Sequence, residues 1–199
     1  MHVSSSYTPV DALELFKDWG HPWWVAGGWA LDLFLGTQTR EHEDLDIAIL
    51  RKDQSHMRNF LQYWDMRVGL GDGKMSEYMW DGSTYIEAPV PALWCKEQGN
   101  TTWAFELLLT DTHEGDWVSR RDTRVTLPLS SIGALSLTGI PYLVPEIVLA
   151  YKAKDRGLEK DREDFFRVLP HLTVTQRAWL AHTLHITNPD HPWLKALNH

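Results

Sequence analysis

The amino-acid sequence predicts an α+β protein, in which a lobe with a mixed β-sheet and flanking helices precedes a small helical lobe. Short apolar runs typical of buried strands alternate with helical patterns over residues 1–140. From Pro145 onward, apolar residues recur only at helical spacing. We therefore place the sheet-containing lobe in residues 1–140 and the helical lobe in residues 141–199.

The composition excludes several classes of protein. The 199-residue chain carries a net charge of −8, which argues against nucleic acid as a partner because phosphate-backbone binding needs a basic surface. No apolar run approaches the roughly 20 residues that a membrane helix requires, and we expect no secretory signal. The single cysteine, Cys95, cannot form an internal disulfide. These features predict a cytoplasmic protein without a membrane partner.

The first elements are predicted from capping residues and apolar runs. A helix is expected from Pro9 to Gly20, with Thr8 as its N-cap. Residues 23–26 form an aromatic and β-branched run typical of a buried strand. A second helix is expected over residues 29–35, where Gly36 follows as a helix terminator.

The later elements follow from the same patterns, and the Gly-rich residues 68–100 are expected to form one or two hairpins with long loops. The other predicted strands are 44–50, 103–109, 122–128 and 134–137, and the other predicted helices are 53–64, two from Pro145 hinged at Gly157, and 174–184.

A strand, a pair of glycines and a helix succeed one another around Gly27 and Gly28. The first turn of a helix has backbone N–H groups without intrahelical acceptors, and the positive end of the helix dipole attracts anions. Glycine has no Cβ to keep a phosphate away from the backbone. Because many ordinary turns also use glycine pairs, this feature gains weight only from the residues that follow it.

Asp44 and Asp46 flank Leu45 in the next predicted strand. Residues two apart on a strand point to the same face, about 7 Å apart. Two carboxylates so close repel each other, and a divalent cation removes that repulsion. Oxygen ligands that leave positions open for substrate phosphates are typical of Mg²⁺ sites, so the pair predicts a Mg²⁺ site.

A third carboxylate is expected from a neighbouring strand, and Glu106 is our first choice because it interrupts an otherwise apolar run. Glu87 is the second candidate. Two aspartates and a third acid of this kind predict a two-metal site for in-line attack at phosphorus. A structural ion pair between Glu106 and Arg120, Arg121 or Arg124 is the alternative interpretation.

The Gly-Gly-Trp-Ala helix start at Gly27, the Thr-Arg-Xaa-His segment at 39–42 and the Asp-Xaa-Asp pair at 44–46 together resemble the nucleotidyltransferase superfamily. The resemblance is strongest to its branch of aminoglycoside 2''-adenylyltransferases and lincosamide nucleotidyltransferases. It is dense over residues 24–50 and scattered over residues 121–169. The resemblance implies an enzyme with the mixed-sheet catalytic lobe of that superfamily.

The resemblance implies transfer of a nucleoside monophosphate from a nucleoside triphosphate, with ATP the expected donor, to a hydroxyl, with release of pyrophosphate. It also implies that Asp44 and Asp46 hold Mg²⁺, and that Glu106 is a metal ligand or general base at a position where the family usually has aspartate. The nucleotide-binding residues it implies are Gly27, Gly28, Arg40 and Lys152.

Lys152 is preferred over Lys154 because the two lie about 200° apart around a helix, so that one of them faces the cleft. The nearby Asp161, Arg162 and Asp164 are expected to form ion pairs between helices, and His42 is expected at the surface, with substrate contact as its alternative.

The expected acceptor is a hydroxylated small molecule, with an aminoglycoside-like antibiotic as the leading candidate and antibiotic resistance as the implied role. Residues 1–140 contain 20 acidic and 11 basic residues, and such an acidic lobe attracts a cationic acceptor. Two alternatives remain: a toxin-type nucleotidyltransferase acting on a protein or tRNA, and a nucleotide-binding module without catalytic activity.

Overall fold

The computed structural model describes residues 7–71, 74–153 and 158–198, which contain one mixed β-sheet and the helices around it. The strands are β1 (Trp23–Val25), β2 (Asp46–Leu50), β3 (Trp64–Gly71), β4 (Lys74–Met79), β5 (Ala92–Glu97), β6 (Phe105–His113), β7 (Asp116–Val118), β8 (Thr126–Pro128), β9 (Gly133–Leu135) and β10 (Pro141–Leu143).

The helices flank this sheet. They are α1 (Pro9–Leu15), α2 (Gly27–Leu35), α3 (Gln54–Phe60), α4 (Pro145–Lys152), α5 (Glu159–Val168), α6 (Val174–Thr187) and α7 (Trp193–Leu197), with 3₁₀ turns at Arg51–Asp53, Leu129–Ser131 and Leu169–His171. No helix in the described ranges is both long enough and apolar enough to cross a membrane.

The strand order is β4-β3-β5-β6-β2-β1-β10-β9, and β7 and β8 extend from β6. The pairs β2–β6 and β1–β10 are parallel, whereas the other pairs are antiparallel. The predicted mixed sheet with flanking helices is therefore confirmed. The parallel pairing of β2 with β6 is the feature that matters for the site, because it joins the two segments that carry the predicted acids.

Exposure alternates along β6, which separates a buried face from the face that carries Glu106, and Asp46 of β2 is paired with Glu106 in the register. Ile47 and Ile49 of β2 and Leu107 of β6 have no exposed surface. Helix α1 packs near this buried face, where the ring centroid of Phe16 lies 6.1 Å from that of Phe105. Asp46 and Glu106 point to the opposite face because they alternate with these apolar residues.

The helical segment packs against the sheet-containing part of the chain. Helices α4 and α5 both contact α2, and α4 also contacts α6. Strand β10 pairs with β1 and β9, so the sheet continues past residue 140. The division into lobes at that residue stays a prediction.

Several element boundaries differ from the sequence-based expectations. Helix α1 starts at Pro9 with a Thr8 capping box, as expected, but it ends at Leu15 rather than at Gly20. Trp64 begins β3 instead of ending a helix, because it pairs with Glu97 of β5, and this long-range pairing prevails over the local helical period. Of the predicted strand 122–128, only the last three residues are extended.

The later predictions have mixed outcomes. The hairpin expected in residues 68–100 is present as β3 and β4, and Gly36 ends α2 with a φ of +73°. Helix α7 was not expected. The proposed hinge at Gly157 and the alternative lysine Lys154 lie outside the described residues.

Candidate active site

A cleft of about 880 Å³ opens over the polar face of β2 and β6. Its lining includes all seven residues that the sequence predicted for the site: Gly27, Gly28, Arg40, Asp44, Asp46, Glu106 and Lys152. Residues that are more than 100 positions apart in the chain therefore line the same cleft. The second acidic candidate, Glu87, is exposed in the segment between β4 and β5 and does not line this cleft.

The register of β2 and β6 brings two of the acids together. Asp46 lies directly opposite Glu106 on the neighbouring parallel strand, where adjacent backbones are about 4.8 Å apart. The Ala26 amide donates to the Asp46 carbonyl at 2.8 Å, and the Glu106 amide donates to the Leu45 carbonyl at 2.9 Å. Backbone hydrogen bonds on both sides therefore fix the position of Asp46.

Asp44 differs from the expectation in one respect. It lies in the loop before β2 rather than within the strand, and it is exposed. The strand begins only at Asp46, where pairing with β6 starts. Asp44 still lines the cleft beside Asp46, so the two acids remain at one end of β2 without sharing the strand geometry that predicted their spacing.

Gly27 is required by the close approach of helix α2 to Asp46. Its φ is +59°, a left-handed conformation that favours glycine, and a Cβ built on it would lie 2.0 Å from Oδ2 of Asp46. Gly28 has a similar role, because its Cβ would lie 2.4 Å from Nη2 of Arg40. The two glycines thus let the first turn of α2 approach both an acid and a base of the cleft.

We expect Gly27→Ala to lower the free energy of unfolding by about 2 kcal/mol, because alanine is strained at this positive φ. We also expect it to lower any nucleotidyl-transfer activity at least tenfold, because the new methyl group displaces the Asp46 carboxylate. Denaturant unfolding and steady-state kinetics measure the two effects. Gly139→Ala is the matched control, because its φ is +80° and nothing lies within 4 Å of its Cβ position. An equal loss of activity in both variants would contradict the contact with Asp46.

Asp32 of α2 fixes the loop that leads to the acids, a role that the sequence did not reveal. Its carboxylate is 2.6 Å from Nε2 of His42 and accepts a hydrogen bond from the Thr39 hydroxyl at 2.6 Å. The His42 ring also lies 4.3 Å from that of Trp29, and its side chain is 3% exposed. Burial lowers the pKa of His42, although the hydrogen bond to Asp32 acts in the opposite direction.

The expectation of a surface position for His42 is therefore wrong, and its side chain does not line the cleft. A buried histidine between an acid and an indole ring positions the loop instead.

Arg40 and Lys152 meet at one buried acid, Asp164 of α5. The guanidinium of Arg40 donates to both carboxylate oxygens at 3.1 Å, from Nε and Nη2. Nζ of Lys152 lies 3.0 Å from Oδ2 of Asp164 and 2.7 Å from Oδ1 of Asp161. Burial alone would raise the pKa of Asp164, but the hydrogen bond from Arg40 and the charge of Lys152 lower it below its ordinary value.

The ion pairs expected for this segment are present for Asp161 and Asp164, which link α5 to α4 and to the loop before β2. Arg162 is different, because it pairs with Glu159 of its own helix at 2.9 Å. The two predicted nucleotide-binding cations are thus held beside the first turn of α2 by one carboxylate that is 4% exposed.

Of the three arginines considered as partners of Glu106, two contact α4 and the third pairs within the segment between β7 and β8. Arg124 pairs with Asp122 at 2.6 Å, and Nη1 of Arg121 donates to the Ala150 carbonyl of α4 at 2.8 Å. The guanidinium carbons of Arg120 and Arg121 lie 5.1 and 5.3 Å from the Tyr151 ring centroid. The role of Glu106 as metal ligand, base or ion-pair partner stays a prediction.

Aromatic side chains form part of the cleft away from α2. Trp94 lies opposite Glu106 in the register of β5 and β6, and it lines the cleft together with Trp117 and Tyr151. Trp117 packs edge-on against Tyr151 with a centroid distance of 6.1 Å. Aromatic rings in the same cleft as the half-buried carboxylate of Glu106 suit a ligand that has both apolar and polar faces.

A buried arginine, Arg51, supports this side of the cleft and was not expected. Its Nη2 donates to Asp111 at 2.9 Å and its Nη1 donates to the Val90 carbonyl at 2.8 Å. Asp111 lines the cleft, so Arg51 joins the end of β2 to the cleft wall and to the segment before β5.

Part of the chain is similar to known antibiotic-resistance proteins. A model of the aminoglycoside-2''-adenylyltransferase family matches residues 10–86, which include Gly27, Gly28, Arg40, Asp44 and Asp46 but neither Glu106 nor Lys152. A lincosamide resistance protein of Staphylococcus haemolyticus is 38% identical over 50 residues, which are 25% of this chain and 29% of the relative. The aligned part thus spans less than a third of that relative.

Solved structures resemble the chain over most of its length. The lincomycin-bound lincosamide antibiotic adenylyltransferase LnuA has a TM-score of 0.55 at 16% identity, covering 82% of this chain and 96% of that one. ANT(2")-Ia in complex with adenylyl-2"-tobramycin has a TM-score of 0.56 at 15% identity, covering 86% and 91%. A solution structure of the same antibiotic-resistance factor has a TM-score of 0.58 at 12% identity, covering 94% and 92%.

The mixed sheet, its register and these matches define a nucleotidyltransferase-type fold. Within that class, the chain resembles the branch that contains the aminoglycoside 2''-adenylyltransferases and the lincosamide adenylyltransferases. The resemblance and the fold class predicted from the sequence are therefore confirmed. The expected enzyme class agrees with the matched aminoglycoside-2''-adenylyltransferase family and with LnuA, a lincosamide antibiotic adenylyltransferase.

Proposed function

We propose that the chain is a Mg²⁺-dependent nucleotidyltransferase that moves AMP from ATP to a hydroxyl of a small antibiotic-like molecule and releases pyrophosphate. One observation carries the proposal: the parallel register sets Asp46 opposite Glu106, with Asp44 and the glycine turn of α2 at the same end of the cleft. A nucleotide-binding module without catalytic activity would not need three acids gathered beside a phosphate-binding turn.

The donor set fits Mg²⁺. Asp44, Asp46 and Glu106 offer only carboxylate oxygens, the ligands that this ion prefers, and they face an open cleft where substrate oxygens can complete the coordination. When bound, Mg²⁺ would neutralise phosphate charge and lower the pKa of the acceptor hydroxyl. We assign all three residues to metal binding, and Glu106 also to acceptance of the proton.

The chain's own cations would bind the triphosphate. The first turn of α2 presents backbone N–H groups at Gly27 and Gly28. Arg40 approaches Gly28, and Lys152 shares Asp164 with Arg40, so both positive charges lie beside that turn. Because Asp164 holds them in place before the nucleotide arrives, little side-chain entropy is lost when the phosphates bind.

The acceptor would lie toward β5 and β7. Trp94 and Tyr151 supply flat apolar surfaces there, with the buried Trp117 packed behind Tyr151. Asp111 and Asp122 also line this wall, where they pair with Arg51 and Arg124. A ring-containing molecule suits these surfaces, and the net negative charge of residues 1–140 favours one that carries cationic groups. Lincomycin, bound in the LnuA structure, and tobramycin, present in adenylylated form in the ANT(2")-Ia structure, are suitable first acceptors.

We expect pyrophosphate release from MgATP to depend on one of a panel of lincosamides and aminoglycosides. The measurement is a coupled pyrophosphate assay, with mass spectrometry to detect a gain of one AMP on the acceptor. Omission of Mg²⁺ should abolish the signal. If no member of the panel supports release, the antibiotic assignment is wrong. If labelled ATP instead marks protein or tRNA in a lysate, the toxin-type alternative is correct.

A further inference from the structure

Two histidines and an aspartate converge at the far end of β2 from the acids of the cleft. The residues are His21, between α1 and β1; Asp53, at the end of the 3₁₀ turn after β2; and His56, in α3. One potential ligand atom from each lies within 4.8 Å of the other two. None of the three lines the cleft, so the cluster is separate from the candidate active site.

The Asp53 carboxylate is buried without enough partners. The residue is 6% exposed, and its Oδ2 has no hydrogen-bond partner among the residues that the structure describes. Its other oxygen, Oδ1, lies 3.5 Å from Nδ1 of His21, which is long for a hydrogen bond. A buried carboxylate oxygen costs free energy unless it is paired or bound to a metal.

The side chain of Asp53 also does not cap the helix that follows it. It is the N-cap residue of α3, where aspartate usually accepts a hydrogen bond from the first turn of the helix, but its side chain makes no such bond. The carboxylate therefore faces the histidines instead of the helix backbone.

The two imidazole rings lie on the same side of this carboxylate. They stack with a centroid distance of 4.9 Å and an interplanar angle of 24°. The Trp19 ring lies 4.7 Å from that of His21 and is 5% exposed, so an apolar side chain borders the cluster. His56 is exposed, which leaves room for its ring to rotate and gives an ion a path from solvent.

We propose that His21, Asp53 and His56 form a binding site for Zn²⁺ or a similar transition-metal ion. Two imidazole nitrogens and one carboxylate oxygen are a ligand set that this class of ion prefers over Mg²⁺. At bond lengths of about 2.1 Å, atoms around one ion lie about 3–4 Å apart, so rotation of the exposed ring closes the site. Water completes the coordination.

Such an ion would tie together the two segments that deliver the active-site loops. His21 precedes β1, which leads into Gly27, and Asp53 follows β2, which begins with Asp46. An ion that binds only the folded chain stabilises it, and at 100 times the dissociation constant we expect the thermal midpoint to rise by about 5 °C. The proposed role is structural and does not depend on the proposed nucleotidyl transfer.

The test is calorimetric titration of Zn²⁺ into chelator-stripped protein, with excess Mg²⁺ to occupy the carboxylates of the cleft. We expect one equivalent to bind, and His21→Gln and His56→Gln each to weaken binding at least tenfold and to remove the rise in thermal midpoint. His113→Gln is the matched control, because His113 is an exposed histidine at the end of β6, outside the cluster.

Because His56 is exposed, His56→Gln should fold normally, which circular dichroism checks. Absence of the bound equivalent in the wild type would overturn the proposal. Unchanged binding in both cluster variants would also overturn it, since the zinc would then bind at another site.

Discussion

Asp46→Asn is expected to lower kcat/KM for nucleotidyl transfer at least about 10³-fold, which corresponds to about 4 kcal/mol of lost transition-state stabilisation. The reason is geometric: Asp46 lies opposite Glu106, and helix α2 is so close that only glycine fits at residue 27. Asparagine keeps the shape of the side chain but removes the negative charge that would hold the ion. Steady-state kinetics with MgATP measure the loss.

The matched control for this variant is Asp65→Asn. Asp65 also lies on a strand of the same sheet and is part of an ion pair, with Lys96 at 3.6 Å, but it does not line the cleft. We expect its activity to remain within about twofold of the wild type. Denaturant unfolding should show that Asp46→Asn is folded. Wild-type activity in folded Asp46→Asn would refute the proposed role of this acid, and with it the three-acid metal site.

Local patterns in the sequence were sufficient to predict the fold class and to select residues that line one cleft. Gly27 could be selected because a glycine pair follows a strand and opens a helix, and Glu106 because it interrupts an apolar run. The register then places Glu106 beside Asp46. The glycine pair and the isolated acid could be recognised from the residues next to them in the chain, because local backbone geometry decides whether a segment is a turn, a helix or a strand. The roles of the selected residues stay predictions.

The sequence could not predict which charged side chains would become buried. Arg51 follows a strand and resembles an ordinary surface residue, yet it is 5% exposed because it pairs with Asp111 and with carbonyls from another segment. Asp32 likewise lies among the apolar residues of α2, where nothing local indicates that His42 will approach it. Such pairs join residues that are distant in sequence, so the hydrophobic periodicity of the sequence does not predict them.

Asp164→Asn is expected to destabilise the protein by about 3 kcal/mol at pH 7, because it leaves the partly buried Arg40 beside a neutral amide and leaves Lys152 with Asp161 as its remaining acidic partner. The pKa of this carboxyl is lowered in the folded state. Its stabilising contribution is therefore complete above about pH 4 and is lost as the pH falls through the lowered value. Urea unfolding at pH 7 and below pH 4 should show the difference between variant and wild type shrinking on acidification.

Glu159→Gln is the matched control on the same helix, because the ion pair that Glu159 makes with Arg162 is exposed. We expect it to cost less than about 0.5 kcal/mol at either pH. The Asp164 variant should also raise the KM for ATP more than it lowers kcat, since Asp164 orients the two cations rather than the reacting atoms. An unchanged KM in a folded Asp164→Asn protein would mean that Arg40 and Lys152 stabilise the contact between α5 and the loop before β2 without serving the triphosphate.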